Sequence, residues 1–186
     1  SGLYGGSGIP LDENMKPIRP CMIWMDRRAD DETKWVLDHI GEEKLLEITH
    51  NGADPYYGYT KILWMKNHEP ENWAKTKLFL PPNDYVIYHL TGEIAIDYSS
   101  AGNIGGIFDM NTRTWSEELM EAMGIPMSMM PQRIVESTDI VGGMTKEAAE
   151  DLGLWEGLPV IASGIDCGAA NIGLGVFESG VYAAAI

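Results

Sequence analysis

Apolar positions along this chain recur in bursts, some at helical spacing and some as unbroken runs, with glycine, proline and acidic residues between them. Behind the acidic stretch "RRADDET", the residues Trp35, Val36, Leu37 and Ile40 predict a helix. "EEKLLEIT" predicts a second, ending near Asn51-Gly52. "YTKILWMKNH" places Ile62, Leu63 and Met65 on a helical face that Pro70 ends. A helix is expected after the double proline at 81–82, closed by Gly92. Two more follow, "WSEELMEAMG" with Ser116 as its cap, and "TKEAAEDLG" with Thr145 as cap and Gly153 as stop. "DCGAANIGLG" reads as a last helix. The unbroken runs "CMIW", "KLFL", "LPVIASG" and "GVYAAAI" read as strands, and the polar "IDYSS" at 96–100 as a turn. Such alternation of helices and short strands predicts an α/β architecture with some parallel pairing.

The 186 residues, 45% of them hydrophobic, suffice for one sizeable domain or one and a fraction. Thirteen basic against 28 acidic residues leave a formal charge of −15. That excludes nucleic-acid backbones and anionic membrane surfaces as expected partners, because both need clustered lysine and arginine. Solubility explains the acidity. Cys21 and Cys167 stand far apart, as in a reduced, cytoplasmic protein. No apolar stretch approaches membrane-span length, and no signal peptide is visible. The chain opens "SGLYGGSGIPLD" without a methionine and stops within the apolar "VYAAAI", so it reads as a piece of a longer protein.

Candidate chemistry starts at "VIASGIDCGAA", where an apolar strand delivers one carboxylate, Asp166, into a run of small residues. In open α/β folds ligands sit beyond the carboxyl ends of strands, so Asp166 either faces a crevice as a general base or merely caps the next helix. Trp24 in "IWMDRRAD" is a ligand wall or a core residue, and Asp26 with Arg27 binds hydroxyls or forms a strand-end pair. "DPYYGYTK" gathers tyrosines whose flat faces and hydroxyl tips suit a sugar, or which pack a loop. The four histidines show no metal spacing. "GGSG" lacks the strand that a dinucleotide fingerprint requires. The methionines between 120 and 130 read as core filling.

Taken in order, "CMIWMDRRAD", "DPYYGYTKILWMKNHEPENW", "KLFLPPNDYVIYHLTGEIAIDYSSAG" and "GGMTKEAAEDLGLWEGLPVIASGIDCGAANIGLGVFESG" resemble the FGGY family of carbohydrate kinases, xylulokinases first and glycerol kinases second. The resemblance implies a ribonuclease H-like, actin-like ATPase fold. Residues 1–176 would be the second half of the N-terminal sugar-binding domain, and 177–186 the first strand of the C-terminal domain. It implies ATP-dependent phosphorylation of a small-molecule sugar or polyol, with Mg²⁺, and leaves a homo-oligomer open. Asp166 matches the family's catalytic base. Trp24 and Tyr56 match residues that line the substrate pocket, and Asp26 and Arg28 complete a "WxDxR" pattern. Cys167 stands where glycerol kinase-like members carry glutamine, and Tyr4 falls in a segment expected to line the sugar site. That segment, "LYGGSG", has neither the Arg-Glu pair of glycerol kinases nor the Met-His-Gly of xylulokinases. The phosphate-gripping loops are expected outside this chain, so that alone it would transfer no phosphoryl group. Two alternatives are a non-catalytic relative that binds sugar or nucleotide, and a plain α/β interaction domain.

Overall fold

The computed structural model describes residues 6–183. Nine helices and eight short strands alternate among the described residues, and the strands join in four two-stranded pairs. β1 (Ile9–Leu11) lies antiparallel to β2 (Leu78–Leu80), closing a small core of Leu11, Leu78 and Leu80. β3 (Ile96–Asp97) pairs in parallel with β6 (Ile134–Val135), which is the parallel pairing the alternation predicts. β4 (Phe108–Asp109) and β5 (Thr114–Trp115) form a hairpin in which Phe108 and Trp115 meet edge to face, their centroids 5.3 Å apart. β7 (Ile140–Gly143) runs antiparallel to β8 (Pro159–Ile161), with a bulge between Ile140 and Gly142.

The main core surrounds α3 (Gly58–His68), which buries seven residues, including Tyr59, Ile62, Leu63 and Met65. Against it lie α1 (Asp30–His39), α2 (Glu42–Thr49), α6 (Tyr98–Ile104) and α7 (Glu117–Met123). Met120, Met123 and Met130 fill this core, as expected of unbranched, adaptable side chains. Under α5 (Pro82–Thr91), Ile87, Ala95, Val141 and Ala162 form a second cluster, beside α8 (Lys146–Leu152). α9 (Asp166–Gly173) follows β8 and buries none of its residues. The predicted caps hold: the Ser116 hydroxyl accepts from Leu119 N and that of Thr145 from Ala148 N, while Gly92, Gly124 and Gly153 close their helices.

Four expectations need correcting. "CMIW" is not a strand; only Met22 bridges to Gly8, in a segment with Pro17 and Pro20 close by. Pro70 ends α3 but also starts α4 (Pro70–Lys75), since proline fits the first helical turn, where its missing N–H is not needed. "IDYSS" is no turn. Asp97 closes β3 and accepts from the backbone N–H groups of Ser99 and Ser100, capping α6 at once. Residues 180–183 of the last expected strand carry no strand, and 184–186 lie outside the described residues.

Candidate active site

Three segments distant in sequence meet around Tyr56. Gly6 is left-handed (φ 67°), and a Cβ there would sit 2.6 Å from the Tyr56 carbonyl oxygen, so this approach admits no side chain. Ser7 is fully buried, and its Oγ accepts from the backbone N of Trp24 at 3.1 Å. The Trp24 indole is 41% exposed and tilts at 57° to the Tyr56 ring, 6.4 Å away. Part of the "LYGGSG" segment therefore does reach the tryptophan and the tyrosine. Tyr4 lies outside the described residues.

The tyrosine turn is fixed from both sides. Asp54 Oδ1 accepts from Tyr56 N at 2.7 Å, while Arg27 grips the same carboxylate through two bonds of 3.1 Å. From below, buried Lys61 donates to the carbonyls of Pro55 (2.6 Å) and Tyr56 (2.7 Å). Burial pulls the Lys61 ammonium down to about 8, against Asp26 and Asp54, which favour its charge. Asp26 and Arg28 are spent on each other: the Arg28 fork reaches the Asp26 carboxylate at 2.7 to 2.9 Å and holds its pKa below the usual range. Arg28 also lies 4.7 Å over the Trp64 ring. Asp26 pairs with Arg28 rather than Arg27, and the pair braces the loop behind Trp24.

Asp166 is the first residue of α9 and is exposed; its Oδ1 accepts from Cys167 N at 2.8 Å. It is not the cap, a position Ile165 holds without a side-chain bond. Cys167 beside it is also exposed. Helix α6 connects this acid to the tyrosine turn. Ser99 Oγ accepts from Ile165 N at 3.0 Å, one residue before Asp166. Four residues along, the Asn103 Oδ1 accepts from the Tyr56 hydroxyl at 3.3 Å. Positions four apart share one face of a helix, about 5–6 Å between Cβ atoms. The segments carrying Asp166 and Tyr56 thus dock on one face of α6, a single turn apart.

Beneath that face lies Asp97, fully buried, taking hydrogen bonds from the hydroxyls of Ser99 and Ser100 and from Asn83 Nδ2. Asp84 is 1% exposed, and burial together with the Asp97 carboxylate raises its pKa well above the usual range. Lys61, Asp97, Ser99 and Asn103 escaped the sequence reading; an acid with serines two and three positions on, at a strand's end, was the one signal available, and it resembled a turn. A half-open cavity of about 190 Å³ lies elsewhere, between Glu32, Trp35, Leu63, Lys66, Asn67 and Met123. Among the described residues no group of three or more His, Cys, Asp or Glu is arranged to hold a metal ion, and no helix is long and apolar enough to cross a membrane.

Solved structures place this architecture. A xylulose kinase from Rhodospirillum rubrum superposes with a TM-score of 0.88 at 29% identity, over 94% of this chain and 35% of that one. The fold is thus of the ribonuclease H-like, actin-like ATPase class. The model of the N-terminal domain of the FGGY family of carbohydrate kinases matches residues 4–173, and the chain belongs to that family. It is similar to a xylulose kinase of Lactococcus lactis, 36% identical over 174 residues, which are 93% of this chain and 34% of that protein. A xylulose kinase of Bacillus subtilis is 34% identical over 92% of this chain. The chain spans about a third of the length of the curated relatives it matches.

Proposed function

We propose that this chain supplies the sugar-binding side and the catalytic base of an ATP-dependent sugar kinase, with a xylulose-like substrate favoured. Membership of the family and the names of the relatives support the substrate class. One observation carries the site: Ser99 and Asn103 hold the Asp166 and Tyr56 segments on one face of α6. In this reading the exposed Trp24 indole and the Tyr56 ring flank the sugar, an apolar face being what a pyranose or open-chain carbon skeleton offers. Cys167 adjoins the base, and Asp26 and Arg28 act through the Trp24 loop.

Asp166 takes the proton of the attacked hydroxyl. The freed oxygen forms a bond to the terminal phosphorus of ATP, and the bond from that phosphorus to its bridging oxygen breaks. At the start of α9 the Asp166 Oδ1 accepts from the Cys167 N–H, which orients the carboxylate. ATP and Mg²⁺ would be gripped by residues outside this chain, where the metal would neutralise phosphate charge. The division at 176/177 and a soluble, cytoplasmic location belong to the same reading.

Asp166→Asn in the full-length enzyme is expected to lower kcat by about 10²–10⁴-fold while sugar still raises the melting temperature. Turnover near the parent's would refute the base assignment. A panel of xylulose, gluconate, glycerol and other polyols with ATP, read by ADP release, identifies the substrate. A melting temperature indifferent to every sugar, with no ADP released, would instead favour an interaction domain.

A further inference from the structure

The loop that delivers Asp166 is held by an anchor that the proposed chemistry does not itself use. Ala162 N bonds to Asp139 O at 3.0 Å and Ser163 N to Ser137 O at 2.9 Å. Gly164 then crosses the first turn of α6. A Cβ built on Gly164 would stand 2.9 Å from Ser99 Oγ, 3.2 Å from Ser137 Oγ and 3.6 Å from Asp97 Oδ1, so no side chain fits. Next, Ile165 N donates to Ser99 Oγ, and the Ser99 hydroxyl in turn donates to the buried Asp97 carboxylate. The chain of bonds therefore runs from a buried carboxylate, through one hydroxyl, to the backbone directly before the base. α9 buries no side chain, so packing of the helix supplies little of the hold. The tie at Ile165 and the close seat of Gly164 set where the carboxylate stands.

We propose that Ser99, fixed by Asp97, is a positioning residue for the base, and that Gly164 is required so that the loop can seat on it. This inference rests on the reading of Asp166 as the base. A displaced base loses rate more than affinity, because misplacement of about 1 Å can cost about a hundredfold in rate. The sugar-facing residues Trp24 and Tyr56 are held by other bonds, to Ser7 and to Asn103. Binding should thus survive when the anchor is cut.

The test uses the full-length enzyme and steady-state kinetics with the sugar it turns over. Ser99→Ala is expected to lower kcat about 10- to 100-fold, with the sugar KM within about threefold of the parent's. Ser99→Thr, which keeps the hydroxyl, should retain kcat within about threefold. Gly164→Ala would press a methyl group against Ser99 Oγ, which either lifts the loop or turns that hydroxyl off the Ile165 N–H, and it should reproduce the loss in kcat. If Ser99 acts through the base, Ser99→Ala added to Asp166→Asn should change the residual rate less than about twofold. A full-sized further loss in that double variant would overturn the inference. So would Ser99→Ala and Gly164→Ala variants that both turn over like the parent while Asp166→Asn collapses. Parent-like turnover in Asp166→Asn would sink the base assignment beneath it, which is a separate failure and is read from that single variant.

Discussion

Lys61 shows how much one side chain can do unseen. It lies 3% exposed under the tyrosine turn, and its ammonium closes the Pro55 and Tyr56 carbonyls. Burial lowers its pKa to about 8, whereas the unfolded chain keeps a lysine protonated to about 10.4. Between those values the unfolded state binds more protons than the native one, so stability rises with pH across that window. From about pH 8.5 the Cys21 thiol opposes it, and near pH 10 the Tyr59 phenol does too, because burial keeps both protonated in the native state while the unfolded chain ionises them. The urea midpoint of this chain should therefore climb from about pH 7.5 to about pH 8.5, and Lys61→Met should flatten that climb. A parent midpoint that falls over the same range would contradict the assignment. Nothing in the sequence flagged Lys61, since a lysine within a helical pattern ordinarily faces water. Trp24 and Tyr56 were legible because large aromatics beside polar turn residues stand out. The partner of Arg27 was not, because Asp54 lies 27 positions away and only the fold brings the two together.

Among the elements, two helices begin with the same chemistry and different consequences. Thr145 caps α8 through one bond to Ala148 N, on a half-buried rim. Asp97 caps α6 from inside, also holding two serine hydroxyls and the Asn83 amide. Thr145→Ala should cost about 1 kcal/mol. Asp97→Ala strands several buried donors together and should cost about 3 kcal/mol or more. Denaturant titrations compare the two, and equal losses would show that the interior cap is no more than a cap. The predicted helices were found where spacing, a cap and a stop agreed, as at 116–124 and 145–153. The reading failed where one residue serves two elements: Asp97 ends a strand and starts a helix, and Pro70 ends one helix and starts another. Local pattern assigns a residue one role, and here tertiary packing gives it two.

For the molecule as a whole, the order of motifs carried the family, whereas periodicity carried only α/β. Alternating helices and strands leave pairing open, and three of the four strand pairs are antiparallel. Strands of two to four residues offer too few positions for a sequence to announce their register. The site was half legible for a related reason. Its aromatics and its acid are written plainly, but the helix face joining them depends on Ser99 and Asn103, whose partners come from segments 66 and 47 residues away.

Helix α9 differs from α3 in one respect that reaches beyond geometry: α3 buries seven of its residues and α9 none. Local opening is easiest where few apolar contacts must be broken. Amide hydrogens in the last turn of α9 should therefore exchange with deuterated solvent at least about a hundredfold faster than those of Ile62 to Met65, a comparison mass spectrometry of labelled peptides can make. On gentle warming, the carboxylate carried by such a helix leaves its station before the interior melts, so under the proposed base role turnover of the full-length enzyme should fade reversibly at temperatures where the rest of the molecule is still folded.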